Sequence, residues 1–111
     1  MVYLAPTTKE EYLQMLDWSV NQTKYPTAIR IPFGEFVSTG VKDNTDYSII
    51  NKFKVEQTGE KIAVIGVGNF FSLAKEMCSE IKSKLNITPT LINPRFLTGI
   101  DEDLLSTLKQ N

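Results

Sequence analysis

The sequence predicts an α/β fold, an incomplete doubly wound sheet preceded by a strand–helix–strand piece. Three observations predict it. Lys61-Ile62-Ala63-Val64-Ile65-Gly66 is a continuous apolar run of strand length, the pattern of a strand buried on both faces of a parallel sheet. After the Gly66-Val67-Gly68 turn, Phe70, Ala74, Met77, Cys78, Ile81 and Leu85 recur at helical spacing, with Lys75, Glu76, Glu80 and Lys82 opposite. Thr90-Leu91-Ile92-Asn93 then returns as a strand, so residues 61–93 read as a βαβ unit. Two parallel strands are few for a finished sheet of this kind, so the sheet is expected to be incomplete.

From the start of the chain, residues 2–5 are a short apolar run stopped by Pro6 and read as a strand. Thr7 and Thr8 each have a Glu three residues on (Glu10, Glu11), so either register makes a capping box for the helix that follows. In that helix Tyr12, Leu13, Leu16 and Val20 share one narrow arc and are expected to face the core, leaving Met15 and Trp18 on a flank. Thr27-Ala28-Ile29-Arg30-Ile31 is rich in β-branched residues, lies between Pro26 and Pro32, and reads as a second strand. Residues 32–44 carry Pro, Gly, Ser, Thr, Asp and Asn with no period, and suggest a linker. Ile49, Ile50, Phe53 and Val55 give residues 48–57 a half-buried extended pattern. Asn69 or Ser72 is available to cap the helix after Gly68, and Asp101 the final one.

Composition excludes several function classes. The net charge is −1, with 12 basic and 13 acidic residues, which disfavours a nucleic-acid binder. With no histidine, zinc chemistry and a Ser-His-Asp triad have no place within the chain. The single Cys78 rules out an internal disulfide and sits on the apolar face of its helix, as an inert small hydrophobe does. No apolar run approaches membrane-spanning length and no leader pattern is legible, so no membrane partner and a cytoplasmic setting are expected.

The motifs are sparse. Gly66-Val67-Gly68 has the position of a dinucleotide phosphate loop, but the third glycine of that fingerprint falls at Phe71 and no acidic residue ends the next strand. A tight strand-to-helix turn accounts for the two glycines. In the segment from Asn93-Pro94-Arg95-Phe96-Leu97 to Asp101, Arg95 offers five donors and reads as a clamp on nearby carbonyls. Arg30, opposite Ile29 and Ile31 in a period-2 strand, points to solvent or across a cleft.

Asn93-Pro94-Arg95-Phe96-Leu97 followed by Ile100-Asp101-Glu102-Asp103-Leu104-Leu105 resembles the "RF-x-x-P-L-D-E-x-L-L" segment of the 1-deoxy-D-xylulose-5-phosphate synthases, in the transketolase superfamily. Residues 61–68 resemble the first strand and turn of their C-terminal domain, and residues 50–59 its lead-in strand. Leu4-Ala5-Pro6-Thr7 and Pro26-Thr27-Ala28-Ile29-Arg30-Ile31-Pro32 resemble the end of their pyrimidine-binding domain. Transketolases and the beta subunits of 2-oxo-acid dehydrogenases share the plan.

The resemblance implies a division into 1–36, the end of a pyrimidine-binding-type domain, 37–60, a linker and lead-in strand, and 61–111, the start of a transketolase C-terminal-type domain. It implies a fragment of a synthase that joins pyruvate to glyceraldehyde 3-phosphate with thiamine diphosphate and Mg²⁺, on the way to isoprenoid precursors. The fragment itself is expected to be inactive and to bind neither cofactor, because the family's Gly-Asp-Gly…Asn motif, its activating glutamate and its histidines are not in this sequence. The family's "Y-P-R-G" reads Ile31-Pro32-Phe33-Gly34, so an arginine that helps hold the substrate phosphate is replaced by Phe33. Arg30 is left as the one expected substrate-binding residue. A non-catalytic paralogue or association module is the alternative. The expected partners are a second copy, docked over Met15 and Trp18, or the missing domains of the parent.

Overall fold

The computed structural model describes residues 1–110. Two parallel strand–helix–strand units make up the molecule. In the first, β1 (Val2–Leu4), α1 (Lys9–Asn21) and β2 (Thr27–Ile29) follow in order, with β2 parallel to β1 and Tyr3 opposite Ala28. In the second, β4 (Ala63–Ile65) leads through a short 3-10 turn at Gly68–Phe70 into α2 (Phe71–Leu85) and returns as β5 (Thr90–Asn93), parallel to β4. The intervening β3 (Lys54–Gln57) pairs antiparallel to β5, giving the order β3-β5-β4, and α3 (Glu102–Leu108) closes the described chain. The mixed α/β architecture is the one the sequence predicts.

The two units are joined through the segment after β5. Leu4 forms an antiparallel bridge with Phe96, Ala5 N–H donates to the Arg95 carbonyl at 2.7 Å, and Leu97 N–H donates to the Tyr3 carbonyl at 2.8 Å. Around that seam Val2, Leu4, Met15, Tyr47 and Phe96 form one buried cluster, with Trp18, Tyr25, Ile29 and Ile50 packed against it. A second cluster, Phe71, Ala74, Cys78 and Leu91, holds α2 on its sheet.

Several expectations are corrected here. The buried face of α1 is Glu11 and Met15, with Trp18 half-buried beside them, while Leu13, Leu16 and Val20 are exposed. The physical reason is Glu11. Its hydrogen-bond donors, Thr7 and Asn93, lie on the inside, and a helix that turns its carboxylate to them brings Met15, one turn on, into the core. Met15 is thus unavailable to a docked second copy, while the edge strand β4 stays open.

Strand β4 is not buried on both faces: it is an edge strand with Ala63 and Ile65 exposed, and β5 is the buried centre. Strand β3 is shorter than residues 48–57 and fully exposed. The second strand stops at Ile29, and Ile31 is exposed, so only Ile29 packs inward.

At the ends of the helices, Thr8 caps α1, accepting the Glu11 N–H, so the Thr8/Glu11 register is the one used. Neither Asn69 nor Ser72 caps α2; the 3-10 turn delivers the chain to Phe71, which is buried where Phe70 was expected, leaving Phe70, Met77 and Leu85 exposed. Asp101 caps α3 as expected, its Oδ1 accepting the Leu104 N–H at 3.0 Å.

Candidate functional site

In an open α/β sheet, ligands settle beyond the carboxyl ends of the parallel strands, where helices begin. The carboxyl ends of β1 and β4 and the starts of α1 and α2 meet here at one crevice of about 210 Å³. Pro6, Thr7 and Thr8 form one wall, Phe33 and Phe36 belong to the loop after β2, and Gly68, Asn69, Ser72 and Lys75 come from the start of α2. Gly66 makes the second wall possible. A Cβ there would stand 2.6 Å from the Cβ of Ala74, so only glycine lets α2 begin this close to β4. The close helix–strand approach that the dinucleotide fingerprint assigns to its third glycine is thus made at its first, and Phe71 fills the core instead.

The loop after β2 is fixed to α1 rather than free. The Val37 carbonyl accepts the Lys9 N–H at 2.9 Å, and Phe36 stacks on Tyr12 with ring centres 5.0 Å apart. The Glu10 carboxylate accepts from Ser38 Oγ and from the N–H groups of Thr39 and Gly40. The Ser38 hydrogen bond, with help from those N–H groups, holds the Glu10 carboxyl down at about 2. Phe33 is carried on this loop, fully exposed at the crevice. Arg30 is exposed, its N–H donating to the Leu4 carbonyl at 2.8 Å, and it is not among the residues lining the crevice.

Behind the crevice lies a buried polar network that the sequence did not disclose. Glu11 Oε1 accepts from the Thr7 N–H at 2.8 Å and Thr7 Oγ1 at 2.9 Å, and Glu11 Oε2 accepts from Asn93 Nδ2 at 2.9 Å. Asn93 Oδ1 in turn accepts the Arg95 N–H at 3.2 Å. Arg95, buried and with φ of 62°, donates from Nη2 to the Lys52 carbonyl at 2.8 Å and from Nη1 to Thr45 Oγ1 at 3.2 Å. Its clamp on a carbonyl is the structural role read from the sequence.

Asp43 accepts from Thr45 and from the Tyr47 hydroxyl. Burial raises Asp43, but these hydrogen bonds outweigh it and hold the carboxyl below the usual carboxylate range. Burial pushes Glu11 the other way, above its ordinary value. Only Arg95 of this group was singled out in the sequence. Tyr47 falls between the aperiodic residues 32–44 and the extended pattern of 48–57, and Glu11 reads as a routine capping residue.

Among the described residues no group of three or more His, Cys, Asp or Glu side chains comes together to hold a metal ion. No helix of the described chain is long and apolar enough to cross a membrane. Cys78 is buried, which pushes its thiol up, away from the reactive thiolate. The crevice offers an apolar wall, hydroxyls, the Glu35 carboxylate and the Lys75 ammonium.

The family described as "Transketolase, C-terminal domain" matches residues 51–111. The chain belongs to this family. The similarity extends through the residues upstream of that match. A 1-deoxy-D-xylulose-5-phosphate synthase of Clostridium perfringens (strain SM101 / Type A) is 32% identical over 111 residues, covering 100% of this chain and 18% of the relative. A synthase of the same name from Acidobacterium capsulatum is 30% identical over 106 residues, covering 96% of this chain and 17% of the relative. Another from Dictyoglomus thermophilum is 32% identical over 111 residues, covering 96% and 18%. This transketolase C-terminal family member therefore spans less than a fifth of the length of the curated relatives it matches.

Proposed function

We propose that this chain is part of a thiamine-diphosphate-dependent transferase of the 1-deoxy-D-xylulose-5-phosphate synthase kind, one that joins pyruvate to glyceraldehyde 3-phosphate in a cytoplasmic setting. One observation carries the reading: relatives bearing that name align with all 111 residues at 32% identity. In this reading residues 1–36 close a pyrimidine-binding-type domain, 37–60 connect, and 61–111 begin the C-terminal-type domain. The partners are the parent's remaining domains or a second copy.

In this reading thiamine diphosphate and Mg²⁺ belong to the parent, and this chain alone is expected to bind neither. No acidic cluster for the cation is present among the described residues. Because the family's diphosphate motif, activating glutamate and histidines are not in this sequence, we expect the chain to be inactive alone. Purified chain incubated with pyruvate, glyceraldehyde 3-phosphate, Mg²⁺ and thiamine diphosphate should give no product, and a calorimetric titration with the cofactor no saturable heat. Turnover or micromolar binding would refute this.

A second reading, a non-catalytic paralogue or association module, is favoured by Phe33, an exposed aromatic ring at the crevice where the resemblance places an arginine. Arg30 remains the proposed substrate-facing residue of this chain. In the parent polypeptide, Phe33→Arg should tighten a phosphorylated substrate by about 1.5–3 kcal/mol if a charged hydrogen bond forms, and Arg30→Ala in that background should weaken it. No change from either substitution would leave Arg30 a solvent-facing residue.

A further inference from the structure

We propose that β4 is an interface strand, and that a second copy of this chain pairs with it edge to edge across a two-fold axis, β4 against β4. In the sheet order β3-β5-β4 one side of β4 has no neighbouring strand among the described residues. The Ile62 carbonyl accepts the Thr90 N–H at 2.8 Å, and the Gly66 N–H donates to the Ile92 carbonyl at 3.1 Å. Residues 62, 64 and 66 therefore turn their backbone groups to β5, and in a parallel pair the residues between them face the other way. The N–H and C=O groups of Ala63 and Ile65 point outward, in the spacing that an added strand satisfies.

The other open edges are defended against pairing, and this one is not. Strand β3 carries Lys54 and Glu56, paired at 2.9 Å, and a register shift between Val55 and Gln57. Strand β2 lies between Pro26 and Arg30. Charge, proline and bulges are the features that keep an exposed strand from taking a partner. Residues 62–68 hold no charge and no proline, and β4 keeps an unbroken register on β5. Such an edge is matched by a strand that is itself uncharged and flat. Among the described strands with an open edge only β4 is of that kind, so the second copy brings its own β4. With the axis at Val64, Ala63 of one copy meets Ile65 of the other, and no charge is buried.

Helix α2 extends the surface. It packs on both β4 and β5. Its Lys75, Cys78 and Lys82 line a groove with Glu56 and Gln57 of β3, so that flank faces away from β4. At about 100° per residue Leu73 and Met77 fall on the opposite flank, on the side of the β4 edge. Both are about half exposed, as is Ile65. A two-fold that pairs β4 antiparallel with its copy runs perpendicular to the sheet and keeps both α2 helices on one face. Strands stand about 4.8 Å apart, so a helix seated over β4 and β5 lies about 10 Å from its copy. Helices pack at roughly 8–10 Å, so Leu73 and Met77 meet their copies across the axis while the strands pair below. Pairing of one edge with itself closes at two copies.

Assembly is read by mass and the synthase reading by turnover, so either can fail alone. In sedimentation equilibrium the 111-residue protein should show twice the mass of its chain. Its Ala63 and Ile65 amides should exchange with deuterium more slowly as concentration rises and the dimer fills. Ile65→Lys puts a charge at the paired edge and should give monomer at a concentration where the native chain is dimeric. Val55→Lys, on the β3 edge, should leave the mass unchanged. A monomer at every concentration overturns the proposal and leaves the edge to a strand from another polypeptide or from elsewhere in a longer one. A dimer whose Ala63 and Ile65 amides exchange as fast as in the monomer overturns it too, as does an assembly that grows beyond two copies. If Ile65→Lys fails to fold, the native mass and amide exchange still decide.

Discussion

The guanidinium carbon of Arg95 lies 5.5 Å from the centre of the Tyr47 ring, and both side chains are buried. A residue just past β5 and one from the loop before β3 thus become neighbours at the seam of the fold, with the Lys52 carbonyl and Thr45 hydroxyl as the guanidinium's hydrogen-bond partners. Arg95→Met keeps much of the volume but removes the donors, leaving a part-buried carbonyl unpaired. The expected loss is about 1.5–3 kcal/mol in a denaturant titration, the usual scale for hydrogen bonds to a charged group. A loss below about 0.5 kcal/mol would mean that water replaces the clamp.

Tyr47 is fully buried and its hydroxyl donates to Asp43. Tyr47→Phe should cost about 1–2 kcal/mol through the lost hydrogen bond. Tyr47→Ala should cost about 3–5 kcal/mol, because it opens a cavity against Phe96, whose ring centre is 6.1 Å away. Equal losses for the two variants would show that the ring itself contributes little to the core.

Gly66→Ala should separate α2 from β4. The new methyl would meet Ala74 Cβ at 2.6 Å and Phe71 Cα at 3.0 Å, neither of which is the movable end of a long side chain. Overpacking of this kind costs about 1–3 kcal/mol. The double variant Gly66→Ala with Ala74→Gly should recover part of the loss, and a thermal melt that shows no recovery would place the strain elsewhere.

Glu10 ties residues 38–40 to the start of α1, and its hydrogen bonds, Ser38 foremost, hold its carboxyl at about 2 against an ordinary 4.5. A depressed carboxyl contributes stability that is present above its unfolded value and lost as pH falls through its folded value. The tether should therefore persist above 4.5 and weaken as pH falls towards about 2. Glu10→Gln should speed amide hydrogen exchange at Thr39 and Gly40 at neutral pH while leaving β5 amides unchanged. Unaltered exchange at Thr39 and Gly40 would show that the Val37 and Phe36 contacts suffice.

The sequence by itself determined the order of elements. Each signal was local: the apolar run of residues 61–66, the helical period through Ala74 and Cys78, the Thr8 and Asp101 caps, and the tight turn at Gly66. It also carried the family, because residues 93–105 keep their pattern whatever surrounds them.

Only the tertiary structure decided which faces are inside. Periodicity chose the Leu13, Leu16 and Val20 arc, yet Met15 is buried, because Glu11 must reach Thr7 and Asn93 and a rigid helix turns as a whole. The same holds for Tyr47, a buried ring between two stretches read without it, and for β4, an apolar strand left at an edge because β3 takes the other side of β5. Burial is a property of what packs against a residue, and the Glu11, Asp43 and Arg95 network brings together positions as far apart as 11 and 95. No window along the chain contains that meeting; it arises when Leu4 pairs with Phe96 and closes the seam.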